Sequence, residues 1–222
     1  MTGQNHNQYL AVPSSGKGAG VLVLHPWWGL NDFIRGVCDR LAQAGFVALA
    51  PDMFSGKIAR TIDEAEQLVS QLNWQKDVPP KILPAVEDLH KHPAVSGNGL
   101  GIVGFSFGGF WALWLARQKP ELIRAVALFY ATDGGSMDFQ PSKTAYLGHF
   151  AETDPNEPVS EVESLEKRLK EAHHPTTFYT YPGTGHWFFE EDRQDAYHAV
   201  AAQLAWDRTI AFLHDQLEVK SG

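Results

Sequence analysis

Gly104, Phe105, Ser106, Phe107 and Gly108 spell G-x-S-x-G directly behind an apolar run, Leu100 to Phe105, and ahead of a segment with helical character. This is the strand-turn-helix context in which a serine can act as a nucleophile. The turn is so sharp that side chains two residues to either side would meet neighbouring backbone, and glycines occupy both places. The hydroxyl of Ser106 then projects outward. The backbone N–H of Phe107, at the start of the helix, faces any negative charge that develops on an attacked carbonyl. The chemistry this allows is acyl transfer.

A serine hydroxyl attacks only when an imidazole takes its proton, so a partner histidine is required downstream. His186 fits, delivered by the loop Pro182 to Gly185 after an apolar strand ending near Tyr181. Of the ten histidines, His90, His92, His173, His174, His198 and His214 lie on or beside expected helices and read as solvated. His6 sits in the N-terminal segment, and His25 and His149 read as hydrogen-bonded structural residues at strand ends. No pair has zinc-site spacing. The carboxylate that orients the base should follow the strand Thr144 to Phe150, which points to Asp154, with Glu152, Glu157 and Asp133 as competitors.

A second oxyanion donor is expected from the loop after the run Gly20 to His25, where the N–H of Trp27 is the candidate and Gly29 lets the chain turn. Trp27, Trp28, Phe54, Phe107, Trp187 and Phe188 cluster around these motifs; such side chains line small-molecule clefts and equally fill cores. Trp28, Phe54, Trp187 and Phe188 are taken as substrate-binding candidates. A rival reading uses Gly99, Gly101 and Gly104, which spell G-x-G-x-x-G. These glycines interrupt the strand instead of following it, the wrong place for a pyrophosphate turn.

The elements that must hold these residues alternate. Gly20 to His25 and Phe46 to Ala50 are short apolar runs ending at prolines, as strands buried on both faces do. Between them, Asn31 caps an amphipathic helix through Ile34, Val37, Cys38 and Leu41 that stops at Gly45. Thr61 with Glu64 forms a capping box for a helix to about Asn73, and Pro80 opens another to about His92. The helix after Phe107 breaks at Pro120. Further strands are predicted at Ile123 to Ala131, Thr144 to Phe150 and Thr177 to Tyr181. Ser160 with Glu163 should cap a helix bearing Glu163/Lys167 and Glu166/Lys170 pairs, and a long helix from about Gln194 to Leu217 closes the chain. The fold class is α/β: a doubly wound, mostly parallel sheet with helices on both faces and chemistry at the carboxyl ends of its strands.

Bulk composition narrows the function classes. A chain of 222 residues, 44% hydrophobic and 20% charged, suits one domain with a sizeable core. A net charge of -8 without any basic cluster disfavours nucleic acid. Cys38 is the only cysteine, so no intrachain disulfide forms and a reducing cytoplasm fits. No run approaches the ~20 apolar residues of a membrane span. The segment Met1 to Tyr9, and residues 1–7 in particular, reads as a loose tail without signal-peptide character.

Taken together, the stretches His25 to Asn31 (HPWWGLN), Ala50 to Phe54 (APDMF), Gly104 to Gly109 (GFSFGG) and Gly183 to Phe188 (GTGHWF) resemble the dienelactone hydrolase family. The likeness spans nearly the whole chain. It implies a compact α/β-hydrolase fold without a large lid domain, no cofactor, a triad at Ser106, Asp154 and His186, and oxyanion donors at Trp27 and Phe107. Dienelactone hydrolases proper use a cysteine nucleophile restrained by a glutamate from the loop after the first buried strand; Ser106 and Pro26 stand in those places here. They also grip a substrate carboxylate with arginines, one of them four residues past the catalytic histidine, where this chain has Glu190 beside Glu191. An anionic lactone should be repelled there. The expectation is a cytoplasmic hydrolase, monomer or homodimer, cleaving uncharged, apolar esters or lactones through an acyl-enzyme, with activity falling as pH drops through the imidazole range near ~6.5. Acyl transfer or perhydrolysis on the same triad, and a non-catalytic binding protein that kept the fold, are the alternatives.

Overall fold

The computed structural model describes residues 8–217. Seven strands form one sheet in the order β1-β3-β2-β4-β5-β6-β7: β1 (Gln8–Ala11), β2 (Gly18–Leu24), β3 (Val47–Pro51), β4 (Val95–Phe105), β5 (Ile123–Phe129), β6 (Ala145–Thr153) and β7 (Thr176–Gly185). All neighbours pair in parallel except β1, which runs antiparallel along β3. The helices are α1 (Asp32–Gln43), α2 (Ile62–Ser70), α3 (Trp74–Asp77), α4 (Pro79–Lys91), α5 (Phe107–Gln118), α6 (Val159–Glu171) and α7 (Ala199–Leu217).

The central strands are apolar without alternation because both faces are covered. Along β2, Val21 and Val23 join one core with Val37 and Leu41 of α1 and Ala205 and Leu213 of α7. Leu22 and Leu24 join the opposite core with Ile82 of α4, Leu115 of α5 and Leu165 of α6. The side-chain period of two thus feeds two cores from one strand. Asn31 caps α1 by accepting from the N–H of Ile34, and the Thr61–Glu64 capping box closes on α2, both as expected.

Four expectations need correction. Gln8 and Tyr9 are not tail: they pair with Pro51 and Ala50, and Tyr9 donates to Asp39 at 2.8 Å while Arg35 covers its ring. Residues 1–7 lie outside the described residues. Helix α6 starts behind Pro158 with no side-chain cap, so Ser160 and Glu163 are inside it; Lys167 pairs with Glu171 instead of Glu163, whereas Glu166–Lys170 forms at 2.7 Å. Helix α7 begins at Ala199, because residues 186–198 are spent on turns that carry site residues. The four-residue α3, capped by Asn73, had no periodicity by which to find it.

Candidate active site

At the carboxyl end of β4 the chain reverses into α5 through Ser106, whose φ of 47° is a conformation that side chains rarely adopt. Local contacts explain why the motif needs glycines. A Cβ on Gly104 would lie 2.7 Å from the Gly108 carbonyl oxygen, and one on Gly108 would drive into the Leu24 carbonyl and sit 2.6 Å from that of His25. The helix therefore starts hard against β2. Gly108→Ala is expected to cost about 3 kcal/mol or more, read as a lowered urea midpoint, since two backbone carbonyls block the methyl; an unchanged midpoint would refute the close approach.

Register brings the other two residues in. Strands β6 and β7 pair Thr153 with Gly185, so Asp154 and His186 leave the sheet side by side at the rim where β4 ends. Ser106 Oγ lies 3.0 Å from His186 Nε2, and His186 Nδ1 lies 2.6 Å from Asp154 Oδ2. The imidazole and carboxylate side chains are 6% and 2% exposed. Asp154 Oδ1 accepts the N–H groups of Asn156 at 2.9 Å and Glu157 at 3.2 Å, which fixes the carboxylate plane. The three residues singled out in the sequence are one hydrogen-bonded chain.

Two of the competing carboxylates are engaged by other partners. Asp133 is clamped by Arg168 at 2.5 and 2.9 Å and accepts from the N–H of Met137, while Glu152 accepts the N–H of Gly183. His25 and His149 are structural: the first accepts the Met53 N–H, the second bridges Tyr181 and Thr209, and burial lowers them to about 4 and about 3. His174, expected to be solvated, is instead buried between the carbonyl oxygens of Thr144 and Gln140.

Ser106 opens into a cavity of about 360 Å³. Trp27, Val69, Trp74, Phe107 and Phe110 form its apolar wall, and Thr132, Asp133, Gly134, Asn156, Glu157 and Glu161 the polar one. The first-turn N–H of Phe107 has no intrahelical acceptor. The N–H of Trp27 makes no backbone hydrogen bond among the described residues. Burial, then the charges of Asp154 and Glu161, raise the Glu157 carboxyl to about 7 against hydrogen bonds from Thr132. Among the described residues of this lining there is no lysine or arginine.

The aromatic candidates divide. Trp27 and Phe107 line the cavity; Phe188 and Trp28, at 0% and 1% exposed, do not. Phe188 turns into the core against Tyr130 and Tyr181, and Trp28 is covered by Arg193 at 3.7 Å, so neither side chain faces the cavity as expected. Phe54 packs edge-on against His25 and at a tilt behind Phe107, and borders a different cavity. Trp187 stacks on Trp27 at 6.0 Å and supports it from outside the cavity. Gly29 has φ 90° and presses on the Lys57 carbonyl, so its role is packing as much as turning. The sequence reading missed Trp74, carried by α3 and packed on Phe107 at 5.0 Å, together with Val69 and Phe110. Glu190 also corrects an expectation: it is fully buried and does not line the cavity, whose glutamates are Glu157 and Glu161.

The chain has relatives among known proteins. The dienelactone hydrolase family matches residues 7–217. The chain is 34% identical over 215 residues to protein usf of Aquifex pyrophilus, covering 94% of this chain and 93% of that one. It is 34% identical over 226 residues to a Bradyrhizobium protein named "Probable 2-oxo-3-(5-oxofuran-2-ylidene)propanoate lactonase", covering 95% and 90%. The crystal structure of a dienelactone hydrolase-like promiscuous phosphotriesterase from metagenomic libraries superposes with a TM-score of 0.81 at 20% identity, over 95% of this chain and 92% of that one.

Proposed function

The chain belongs to the dienelactone hydrolase family, and from that premise we propose that it is a serine hydrolase of carboxylic esters or lactones that lack an anionic group. One observation carries the reading: the unbroken chain from Ser106 Oγ through His186 to Asp154, at 3.0 and 2.6 Å. His186 Nε2 accepts the Ser106 proton as Oγ attacks the substrate carbonyl. The N–H groups of Phe107 and Trp27 stabilise the oxyanion, and Asp154 holds the imidazole in the tautomer that carries its proton on Nδ1. His186 then protonates the leaving alkoxide; in a lactone that alcohol stays tethered to the acyl group. Water, deprotonated by the same imidazole, releases the acid and restores Ser106.

Support for the substrate class comes from the cavity walls. Trp27, Trp74, Phe107 and Phe110 offer apolar surface to the neutral part of an ester, whereas Glu157 and Glu161 oppose a carboxylate. The lactone named for the Bradyrhizobium relative is a propanoate; this cavity offers such a group no cation. A neutral ester is expected to exceed its carboxylate-bearing analogue in kcat/KM by about tenfold or more, on the order of 1 kcal/mol per opposing charge. Because Glu157 is raised to about 7, its negative charge builds as pH rises through that value, so the preference should grow from pH 6 to pH 8. A preference that is flat in pH, or that favours the anion, would overturn this assignment. A fluorophosphonate probe tests the mechanism itself: one adduct per chain is expected, on the peptide containing Ser106.

A further inference from the structure

Glu190 stands four residues past His186, yet its side chain turns inward and is 0% exposed. The hydroxyl of Tyr130 donates to Oε1 at 2.7 Å. Among the described residues Oε2 has no hydrogen-bond partner, nor has the indole N–H of Trp28, which leans toward this carboxyl and favours its charged form. Each neighbour belongs to a loop that shapes the rim. Tyr130 is the first residue after β5, held at φ 39°, and its ring packs against the His186 imidazole at 4.8 Å. Trp28 follows Trp27 in the loop after β2 and packs on Trp187 at 5.4 Å. Glu190 itself closes the turn from His186, its N–H bonded to the Trp187 carbonyl at 2.9 Å. One carboxyl therefore sits where the loop of the base, the exit of β5 and the loop of Trp27 meet.

We infer that Glu190 is a positioning residue: through Tyr130 and Trp28 its buried carboxyl sets the orientation of His186 and of the loop that bears Trp27. It acts as the neutral acid. The groups facing it are Tyr130 and Trp28 from the neighbouring loops and Asp192 and Arg193 from its own; Asp192 opposes ionisation, and Arg193 lies over the Trp28 ring at 3.7 Å and only partly offsets it. With water excluded, burial leads these influences and raises the group to about 8. A charged Glu190 would add a second negative group behind the imidazole and loosen the junction.

The kinetic part of this inference rests on the hydrolase reading above; the titration part does not. Glu190→Gln keeps shape and polarity and is expected to hold kcat/KM within about threefold at pH 6.5, whereas Glu190→Ala should lower kcat on the order of 30-fold with little change in KM, as small misplacements of reacting groups do. Wild-type kcat should decline as pH rises through about 8, and the Gln variant should not. Stability supplies a readout without activity. A folded-state value near 8 against an ordinary 4.5 means that the favourable contribution is complete below 4.5 and lost as pH rises through 8, so the Gln variant should gain Tm on the wild type across that window. A wild-type kcat in Glu190→Ala, a Gln variant as impaired as Ala, or a Tm difference flat in pH would each overturn the inference. If Glu190→Ala does not fold, Tyr130→Phe carries the kinetic arm, with a severalfold fall in kcat expected and an unchanged kcat refuting it. If the wild type neither labels nor turns over, the hydrolase reading fails alone. The ¹⁵N shifts of the His186 ring, expected to move in Tyr130→Phe and stay put in Glu190→Gln, then decide the positioning.

Discussion

Ser106→Ala should lose on the order of 10³-fold or more in kcat/KM toward an activated ester and form no fluorophosphonate adduct, while unfolding at the same temperature as the wild type. The size of the effect follows from what remains. Without Oγ the His186 imidazole can still activate water and the two proposed N–H donors can still hold an oxyanion, so a residue of activity over background is expected. Stability should not suffer, because the serine's unfavourable φ of 47° is imposed by β4 and α5 and, among the described residues, its hydroxyl bonds only to His186. A folded Ser106→Ala protein with full esterase activity would end the serine reading outright.

Asp154→Asn should be nearly as damaging, with kcat down roughly 10³- to 10⁴-fold, and its logic lies in atoms one bond away from the imidazole. Asp154 Oδ1 accepts two backbone N–H groups, from Asn156 and Glu157. An asparagine at this position keeps those bonds only with its oxygen toward the loop, which turns its NH₂ toward His186 Nδ1. The imidazole must then accept at Nδ1 and carry its proton on Nε2, where Ser106 needs a base. Folding should be spared and catalysis lost. Asp133→Asn is the contrast: it weakens the clamp of Arg168 and should cost stability while leaving kcat within a few-fold. Were the two variants to exchange phenotypes, the assignment of the acid would be wrong.

The parts of the site written into local sequence were legible, and the parts created by tertiary contact were not. G-x-S-x-G after an apolar strand states its own backbone geometry, and chain order alone put Asp154 and His186 behind later strands. The register of Thr153 with Gly185, which sets them beside each other, is invisible in the sequence because it depends on where β7 locks onto β6. Aromatic residues near motifs could not be sorted, since Phe188 and Phe189 are neighbours in the core and the side chain facing Ser106 from afar, Trp74, rides on a helix of four residues. Glu190 misled for a similar reason. A glutamate four residues past His186 reads as surface chemistry until Tyr130 is seen to take it inward.

The edge strand β1 has a practical consequence. Running antiparallel, it sets Gln8 opposite Pro51, at the carboxyl end of β3 and so on the rim that carries Ser106, whereas Leu217 closes α7 beside Gly97, near the amino end of β4. A support or fusion tethered behind Leu217 would hold the molecule with its mouth outward; one tethered ahead of Gln8 would crowd the entrance and slow bulky esters first.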